Sequence, residues 1–365
     1  MDSNCGIRKD AIKIGWVELF VTEDCNLSCK YCFHKKEPKS MSESTLDKTL
    51  EFLAQYLTDD CVFSFFGGEP LLREDFVLQS SKKIRALFPK SKFFMSTNAT
   101  IFSEQIAKLA ADDNFTNIQI SYDGLSQDVL RGSGELVREN IRKYIATAGI
   151  KKINARMTFT PETVANLCSD VENAYEVGFR SIMHNAEYSD KWKQEDVEQY
   201  RVQLDKIYEF AKDKSDLNVV FADCNASVAN NPDKRCSAGK QMISVSADGW
   251  IYPCHRAVAY EEFRIGNVYD GKLNRGIFIG LRMNGCSGCE AVSTCHSCFM
   301  ANYEYNKSLK TPLKCACDIN IIEHKKAVQE FDGQFGENSI PTMNAMIRVL
   351  EDILDTNKQI LKGVS

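Results

Sequence analysis

Three cysteines lie close together near the start of the chain, at positions 25, 29 and 32. Thiolates at such short spacing bind metal, and a cubane iron–sulfur cluster is usually held by four of them. Three would leave one iron able to bind a small ligand. Zinc is the alternative, but it prefers a fourth ligand at its own spacing, and the nearby His34 is poorly placed to complete the tetrahedron. The motif therefore favours an iron–sulfur cluster held by Cys25, Cys29 and Cys32.

An apolar run at residues 12–21 precedes the cysteines and predicts a buried strand. Further short apolar runs then alternate with helical periodicity, which predicts five more strands, at 62–66, 93–97, 117–122, 153–159 and 180–184. Regular alternation of strands and helices indicates a parallel sheet covered by helices. Barrels of this class carry their chemistry on the loops that follow the strands, and the cysteine motif lies in the first such loop.

A second motif, Gly67-Gly68-Glu69-Pro70, follows the next predicted strand. With both motifs at this separation, the chain resembles the radical SAM enzymes. The resemblance implies that the three cysteines hold a [4Fe–4S] cluster whose open iron binds S-adenosylmethionine, and that the GGEP turn binds the amino end of that molecule. It also implies further contacts with this cofactor by strand-end and loop residues: Tyr31, Ser96, Asn98, Ser121, Asp123, Arg131 and Arg156. A serine or asparagine at such a position is as often a helix cap.

Eight more cysteines lie between residues 236 and 317. They resemble the SPASM domain, a module with two auxiliary [4Fe–4S] clusters, although Cys295 and Cys298 are one residue closer together than in that family. The resemblance implies an inner cluster on Cys236, Cys254 and Cys298. It implies an outer cluster on Cys286, Cys289 and Cys295 with Cys315 or Cys317. Because Met242 stands where some inner clusters have a fourth cysteine, three alternatives remain: an open iron, the spare one of Cys315 and Cys317, or Cys224. A pair of zinc ribbons is the other interpretation of this region.

The expected fold class is therefore α/β: a partial (β/α)6 TIM-type barrel, then a small cysteine-rich SPASM domain and C-terminal helices. We expect the barrel at residues 1–223, the SPASM domain at 224–320 and a helical segment at 321–365. The expected cofactors are three [4Fe–4S] clusters and S-adenosylmethionine.

Radical SAM enzymes with a SPASM domain mostly modify ribosomally made peptides or proteins. The segments Tyr252-Pro253-Cys254-His255 and Gly266-Asn267-Val268 resemble thioether-forming maturases. Sulfatase-maturating, formylglycine-forming enzymes are also similar, but they carry an aspartate where this chain has His255, itself a candidate catalytic base. We therefore predict a thioether maturase, with formylglycine formation, carbon–carbon cross-linking and epimerisation as alternatives. A non-enzymatic electron-transfer or iron-sensing protein would leave the GGEP turn without a purpose.

Composition limits the setting and the partners. The net charge is −5, which gives no basic field for nucleic acid, and no apolar stretch is long enough for a membrane span. The charged start of the chain lacks the apolar core of a secretory signal, so we expect a cytoplasmic protein whose cysteines are not disulfides. The expected partners are a precursor peptide and an electron donor such as flavodoxin or ferredoxin. Because few residues precede the first strand, we also expect the leader to be bound by a separate protein or by the barrel and SPASM surface.

Overall fold

The computed structural model describes residues 12–221, 236–293 and 295–332. Its first part alternates strands with helices, and seven strands form one parallel run in sequence order. The α/β class predicted from the sequence is confirmed, with one strand more than the six expected. These strands are β1 (Ile14–Thr22), β2 (Leu57–Gly67), β3 (Lys92–Thr97), β4 (Phe115–Ser121), β5 (Ile153–Phe159), β6 (Ser181–Ala186) and β7 (Asn218–Phe221).

The C-terminal part continues the same sheet on its other side. A short strand, β8 (Met242–Val245), pairs in parallel with β1, so that Glu18 lies opposite Ser244. Three antiparallel strands follow it in the order β9 (Trp250–Tyr252), β10 (Gly266–Asn267) and β11 (Lys272–Leu273). The cysteine-rich region is thus joined to the barrel through the strand that leads into the first cysteine motif.

Alternate residues of the strands face the helices and form the core. In β5, every second residue from Ile153 to Phe159 is buried, and the residues between them, including Arg156, are half-buried on the opposite face. The helices that cover the sheet have apolar faces of the expected periodicity. Their bounds are α1 (Glu43–Leu53), α2 (Glu74–Leu87), α3 (Glu104–Ala110), α4 (Gln127–Leu130), α5 (Gly134–Ala148), α6 (Leu167–Val177), α7 (Gln194–Lys212), α8 (Phe299–Asn306) and α9 (Lys314–Asp332).

Two local predictions need correction. The leucine periodicity predicts a helix over 41–57, but α1 ends at Leu53 and β2 already begins at Leu57, five residues before the predicted strand. The apolar residue at the start of β2 continues the helical spacing of α1 by chance, so the sequence pattern does not show where the helix ends. Ser40, with Glu43 three residues later, predicts a capping box, but the helix is capped by Ser42, whose side chain accepts a hydrogen bond from the backbone N–H of Thr45.

Within the described residues, none of the helices is long and apolar enough to cross a membrane. Apolar residues at helical spacing in 346–354 predict a further helix in the C-terminal segment, but these positions lie outside the described residues, as does Cys224.

Candidate active site

The first cysteine motif lies on the loop after β1, and the GGEP turn packs directly against the start of that loop. The backbone N–H of Gly68 donates to the carbonyl of Thr22 (2.8 Å), and that of Glu69 donates to the carbonyl of Asp24 (2.9 Å). A Cβ atom on Gly68 would lie 1.9 Å from the Asp24 carbonyl oxygen and 3.0 Å from Cβ of Cys25. Only glycine allows this approach, so the turn and the cysteine loop form one unit.

Glu69 uses its side chain to hold the end of β3. Its carboxyl group is fully buried and accepts hydrogen bonds from the Thr97 hydroxyl (2.7 Å) and the backbone N–H groups of Asn98 (2.7 Å) and Leu71 (3.1 Å). Burial raises the pKa of Glu69 to about 7, while these three donors lower it. The side chain of the GGEP glutamate is therefore occupied by the protein, as are the backbone N–H groups of Gly68 and Glu69.

A buried polar cluster fixes the middle of the cysteine loop. The hydroxyl of Tyr31 donates to the Asp123 carboxylate (2.6 Å), which also accepts from Nε of Arg131 (2.7 Å) and from the backbone N–H of Thr158 (2.8 Å). The Arg131 guanidinium lies over the Tyr31 ring, 5.0 Å from its centre. Burial raises the pKa of Tyr31 well above its ordinary value, so its hydroxyl stays protonated as the donor. Three of the predicted cofactor contacts thus bind one another.

The remaining predicted contacts lie around the same end of the sheet. The side-chain amide of Asn98 is 3.8 Å from the sulfur of Cys25, so the end of β3 touches the cysteine loop. Ser96 lies half-buried on β3, and Ser121 on β4 is opposite Arg156 on β5. Arg156 contacts the sulfur of Met183 on the next strand. Their assignment to S-adenosylmethionine remains a prediction.

Some of the later cysteines lie close to one another in two sets, and their assignment to two clusters remains a prediction. Burial raises the pKa of Cys254 well above its usual range, and the thiolates of Cys298 and Cys236 raise it further, so these three are neighbours. Burial likewise raises the pKa of Cys317, and Cys286 and Cys289 raise it further. A cavity of about 350 Å³ is lined by members of both groups, Cys236, Cys286 and Cys295.

Cys315 contacts a loop of the barrel. Its thiol is buried and lies 3.2 Å from the carbonyl oxygen of Ser189, in the loop after β6. The geometry therefore favours Cys317 over Cys315 as the fourth member of the outer group. The cysteines that raise the pKa of Cys254 are Cys298 and Cys236.

The donor sets fit the predicted clusters. Lys240 lowers the pKa of Cys236, but burial outweighs it, and a bound iron–sulfur cluster would supply the further positive charge that these buried thiols need to ionise. Within the described residues, no three metal-binding side chains converge closely enough to share a single metal ion. A cubane differs from a single ion in that each thiolate binds its own iron atom.

His255, the predicted base, lies between the first cysteine loop and the inner cysteine group. Its ring contacts Phe33, which follows Cys32, and Phe66, which precedes the GGEP turn, with ring centres 5.6 Å and 4.9 Å apart. Its Nδ1 atom is 2.8 Å from the carboxylate of Glu18. Glu18 escaped the sequence analysis because it stands within an apolar run. The available signal was strand alternation, which puts Glu18 on the face away from the helices, with Trp16 and Phe20.

Comparison with known proteins identifies the first part of the chain. Residues 19–167 match the family model described as the Radical SAM superfamily. A probable GTP 3',8-cyclase of Methanocella arvoryzae is 32% identical over 119 residues, a match that spans 32% of this chain and 36% of that relative. The mycofactocin maturase MftC of Mycobacterium tuberculosis is 24% identical over 308 residues, which cover 77% of each protein. These matches confirm the predicted radical SAM relationship.

Solved structures confirm the fold. Native anSMEcpe with bound AdoMet and Cp18Cys peptide superposes with a TM-score of 0.70 at 18% identity, covering 87% of this chain and 97% of that one. SuiB of Streptococcus suis bound to precursor peptide SuiA gives a TM-score of 0.62 at 16% identity, covering 85% and 77%. At these identities the likeness concerns the fold, which is the predicted α/β partial barrel.

Proposed function

We propose that this chain, which carries a radical SAM domain over residues 19–167, is a peptide maturase that links a cysteine sulfur to a carbon of a ribosomally made precursor. The observation that carries the proposal is the position of His255 and the adjacent Cys254 beside the first cysteine loop, with Phe33 in contact. A substrate bound there would lie next to both cysteine groups. The mycofactocin maturase and SuiB, which is seen with a precursor peptide, support a peptide substrate.

The chemistry follows from what the cysteine groups would hold. A cluster on Cys25, Cys29 and Cys32, with S-adenosylmethionine and one electron, would supply a 5′-deoxyadenosyl radical that removes a hydrogen atom from a substrate carbon. Joining that carbon to a substrate thiol forms the C–S bond and releases a proton and one electron. The peptide therefore loses two hydrogen atoms per bridge. The residues Cys236, Cys254 and Cys298 would hold the redox centre that accepts the electron.

The protein's own residues prepare the site for this reaction. The Gly67-Gly68 turn packs on the cysteine loop, and its backbone carbonyl groups would accept hydrogen bonds from the amino end of S-adenosylmethionine. Tyr31, Asp123 and Arg131 keep the loop in one conformation. We further propose that the protein works in the reducing cytosol, where thiolate ligands persist, with flavodoxin or ferredoxin as electron donor and a separate leader-binding protein or the barrel and SPASM surface holding the leader.

Formylglycine formation is the main competing reaction on this fold. The related maturating enzymes carry an aspartate directly after the cysteine that corresponds to Cys254, and this chain has His255 there. The thioether proposal therefore rests on the histidine at this position and on the Tyr252–His255 and Gly266–Val268 segments.

Mass spectrometry tests the proposal. The reconstituted protein is incubated anaerobically with S-adenosylmethionine, dithionite and a short cysteine-bearing peptide, chosen by a search of the reading frames beside its gene. We expect 5′-deoxyadenosine and a peptide that has lost two hydrogen atoms per bridge, with the bridged cysteine no longer alkylated by iodoacetamide. Two outcomes would overturn thioether formation: a carbon–carbon bridge with every cysteine still alkylated, or an epimerised residue without mass loss. Absence of 5′-deoxyadenosine would overturn the radical chemistry itself.

A further inference from the structure

Glu18 on β1 is a buried acidic residue that the proposed chemistry leaves without a role. Its side chain is on the sheet face opposite the helices, and only 5% of the residue is exposed. One carboxylate oxygen contacts Nδ1 of His255 (2.8 Å), and the other accepts from the His255 backbone N–H (2.9 Å) and from the Ser244 hydroxyl. A single carboxylate thus binds both the backbone and the ring of the same histidine.

This arrangement fixes which ring nitrogen carries the proton. A carboxylate only accepts hydrogen bonds, so Nδ1 of His255 has to donate. In the neutral imidazole the opposite nitrogen, Nε2, is then an acceptor. The rings of Phe33 and Phe66 flank the imidazole and limit its rotation. About a third of the His255 side chain, 35%, stays exposed, so a ligand can reach it.

We propose that Glu18 is a positioning residue that holds Nε2 of His255 as a hydrogen-bond acceptor for a thiol, hydroxyl or amide N–H of the substrate. The place of the ring supports this role, because His255 follows Cys254 of the inner group and touches Phe33, which follows Cys32 of the first. A substrate donor at Nε2 would be bound between the two cysteine groups. The substrate contact rests on the proposed function, whereas the orientation of the ring does not.

The replacement Glu18→Gln distinguishes a residue that orients the His255 ring from one that only holds β1 against β8. The backbone N–H of His255 and the Ser244 hydroxyl both need an acceptor, so the glutamine oxygen has to face them. The amide NH2 then faces Nδ1, which has to accept, and the ring's proton moves to Nε2. The variant keeps the size of the side chain and its bonds to the β8 side, but it turns Nε2 from an acceptor into a donor.

The first measurement needs no substrate. Diethyl pyrocarbonate acylates an imidazole nitrogen that carries no proton, and peptide mapping locates the adduct. On the anaerobic holoenzyme at pH 8, we expect Glu18→Gln to slow acylation of His255 at least tenfold, with His324 as internal reference. The matched control is Glu323→Gln, another buried glutamate, which accepts from Tyr200 between α7 and α9. It should leave His255 acylation unchanged. Equal rates in the wild type and Glu18→Gln would overturn the proposed orientation.

The second measurement tests the substrate contact. We expect Glu18→Gln to form 5′-deoxyadenosine at the wild-type rate without peptide, while the modified peptide produced per 5′-deoxyadenosine falls at least tenfold. An unchanged ratio would overturn the contact, and a loss of iron together with 5′-deoxyadenosine formation would show that Glu18 only braces β1 against β8. If the wild type cleaves S-adenosylmethionine but modifies no peptide, both the proposed function and the substrate contact with His255 are overturned. Slower acylation of His255 in Glu18→Gln would still support the proposed orientation of its ring.

Discussion

The two cysteine regions of this protein are built in opposite ways. The first motif places Cys25, Cys29 and Cys32 within one loop, which the barrel holds through the GGEP turn and the Tyr31–Asp123 hydrogen bond. The inner group brings together Cys236, Cys254 and Cys298 from segments far apart in the chain. In the described part of this region, the strands have two to four residues each.

The difference concerns what organises each site before any cofactor binds. In the first region, hydrogen bonds from the segments that follow three neighbouring strands fix the loop, so a cluster would enter a prepared site. In the second, buried thiols from distant segments face one another with little regular structure between them. We expect that the binding energy of a cluster there also stabilises the fold, as it does in small metal-stabilised domains. Removing ligands should therefore cost activity in the first region and both activity and stability in the second.

The largest effect is expected from replacing Cys25, Cys29 and Cys32 together with alanine. S-adenosylmethionine cleavage should fall to background, because no thiolate would remain to hold the cluster that reduces it. The wild type should contain about twelve irons, four for each of three cubanes, and the variant about eight. Iron assays and chromatography of 5′-deoxyadenosine measure both quantities.

The matched control for this triple variant is Cys61→Ala, which removes a buried thiol of β2 whose pKa is raised by burial to about 12. It should keep all the iron and the cleavage activity. A triple variant that still makes 5′-deoxyadenosine would mean that another group holds the active cluster. Zinc in place of iron in the wild type would contradict the cluster assignment of both regions.

The second prediction tests the other side of the comparison. Cys254→Ala should abolish the modified peptide, lose about four irons and lower the unfolding temperature more than the triple variant does. Formation of 5′-deoxyadenosine in the absence of peptide should persist, because the GGEP turn and Asp123, which hold the first loop by hydrogen bonds, belong to the barrel. Calorimetry under anaerobic conditions compares the two variants. Equal unfolding temperatures for Cys254→Ala and the triple variant would contradict the proposal that only the second region depends on its cofactor for stability.

The first cysteine region could be predicted from local motifs, whereas the pairing of β8 with β1, which joins the second region to the barrel, could not. The loop with the three cysteines, the GGEP turn and six strands were all predicted from residues that are neighbours in the sequence. Strand β8 was missed because it has four residues, and its pairing with β1 joins positions more than two hundred residues apart. Strand β7 was missed for the same reason of length. A strand this short carries too few side chains for a periodicity to be recognised.

Residue roles were harder to predict than residue positions. Tyr31, Asp123 and Arg131 were predicted as separate contacts with S-adenosylmethionine, yet the structure shows them bound to one another. Their types fit both roles, and only the fold decides which side chains meet. Glu18 was missed because its contact with His255 depends on the pairing of β1 with β8.

The third prediction concerns the support of the first loop. Arg131→Met leaves the Asp123 carboxylate buried without its cation and should lower the free energy of unfolding by about 3 kcal/mol. The side chains are 9% and 1% exposed, so water cannot replace the lost partner. Urea denaturation measures the change. The control is Lys48→Met, which removes an exposed pair with Glu51 and should leave the denaturation midpoint unchanged. Equal midpoints for the two variants would show that the buried pair does not support the loop.

The smallest effect is expected from Cys315→Ser, and it sharpens the assignment within the second region. The Cys315 thiol lies against the Ser189 carbonyl, and a serine hydroxyl can make the same hydrogen bond. Cys317 is the near neighbour of Cys286 and Cys289. We therefore expect Cys315→Ser to keep about twelve irons and the full activity, and Cys317→Ser to lose about four. Because the two cysteines are two residues apart on α9, the pair of variants controls for any disturbance of that helix. Loss of iron from Cys315→Ser with none from Cys317→Ser would reverse the assignment and would make Cys315 the fourth ligand of the outer group.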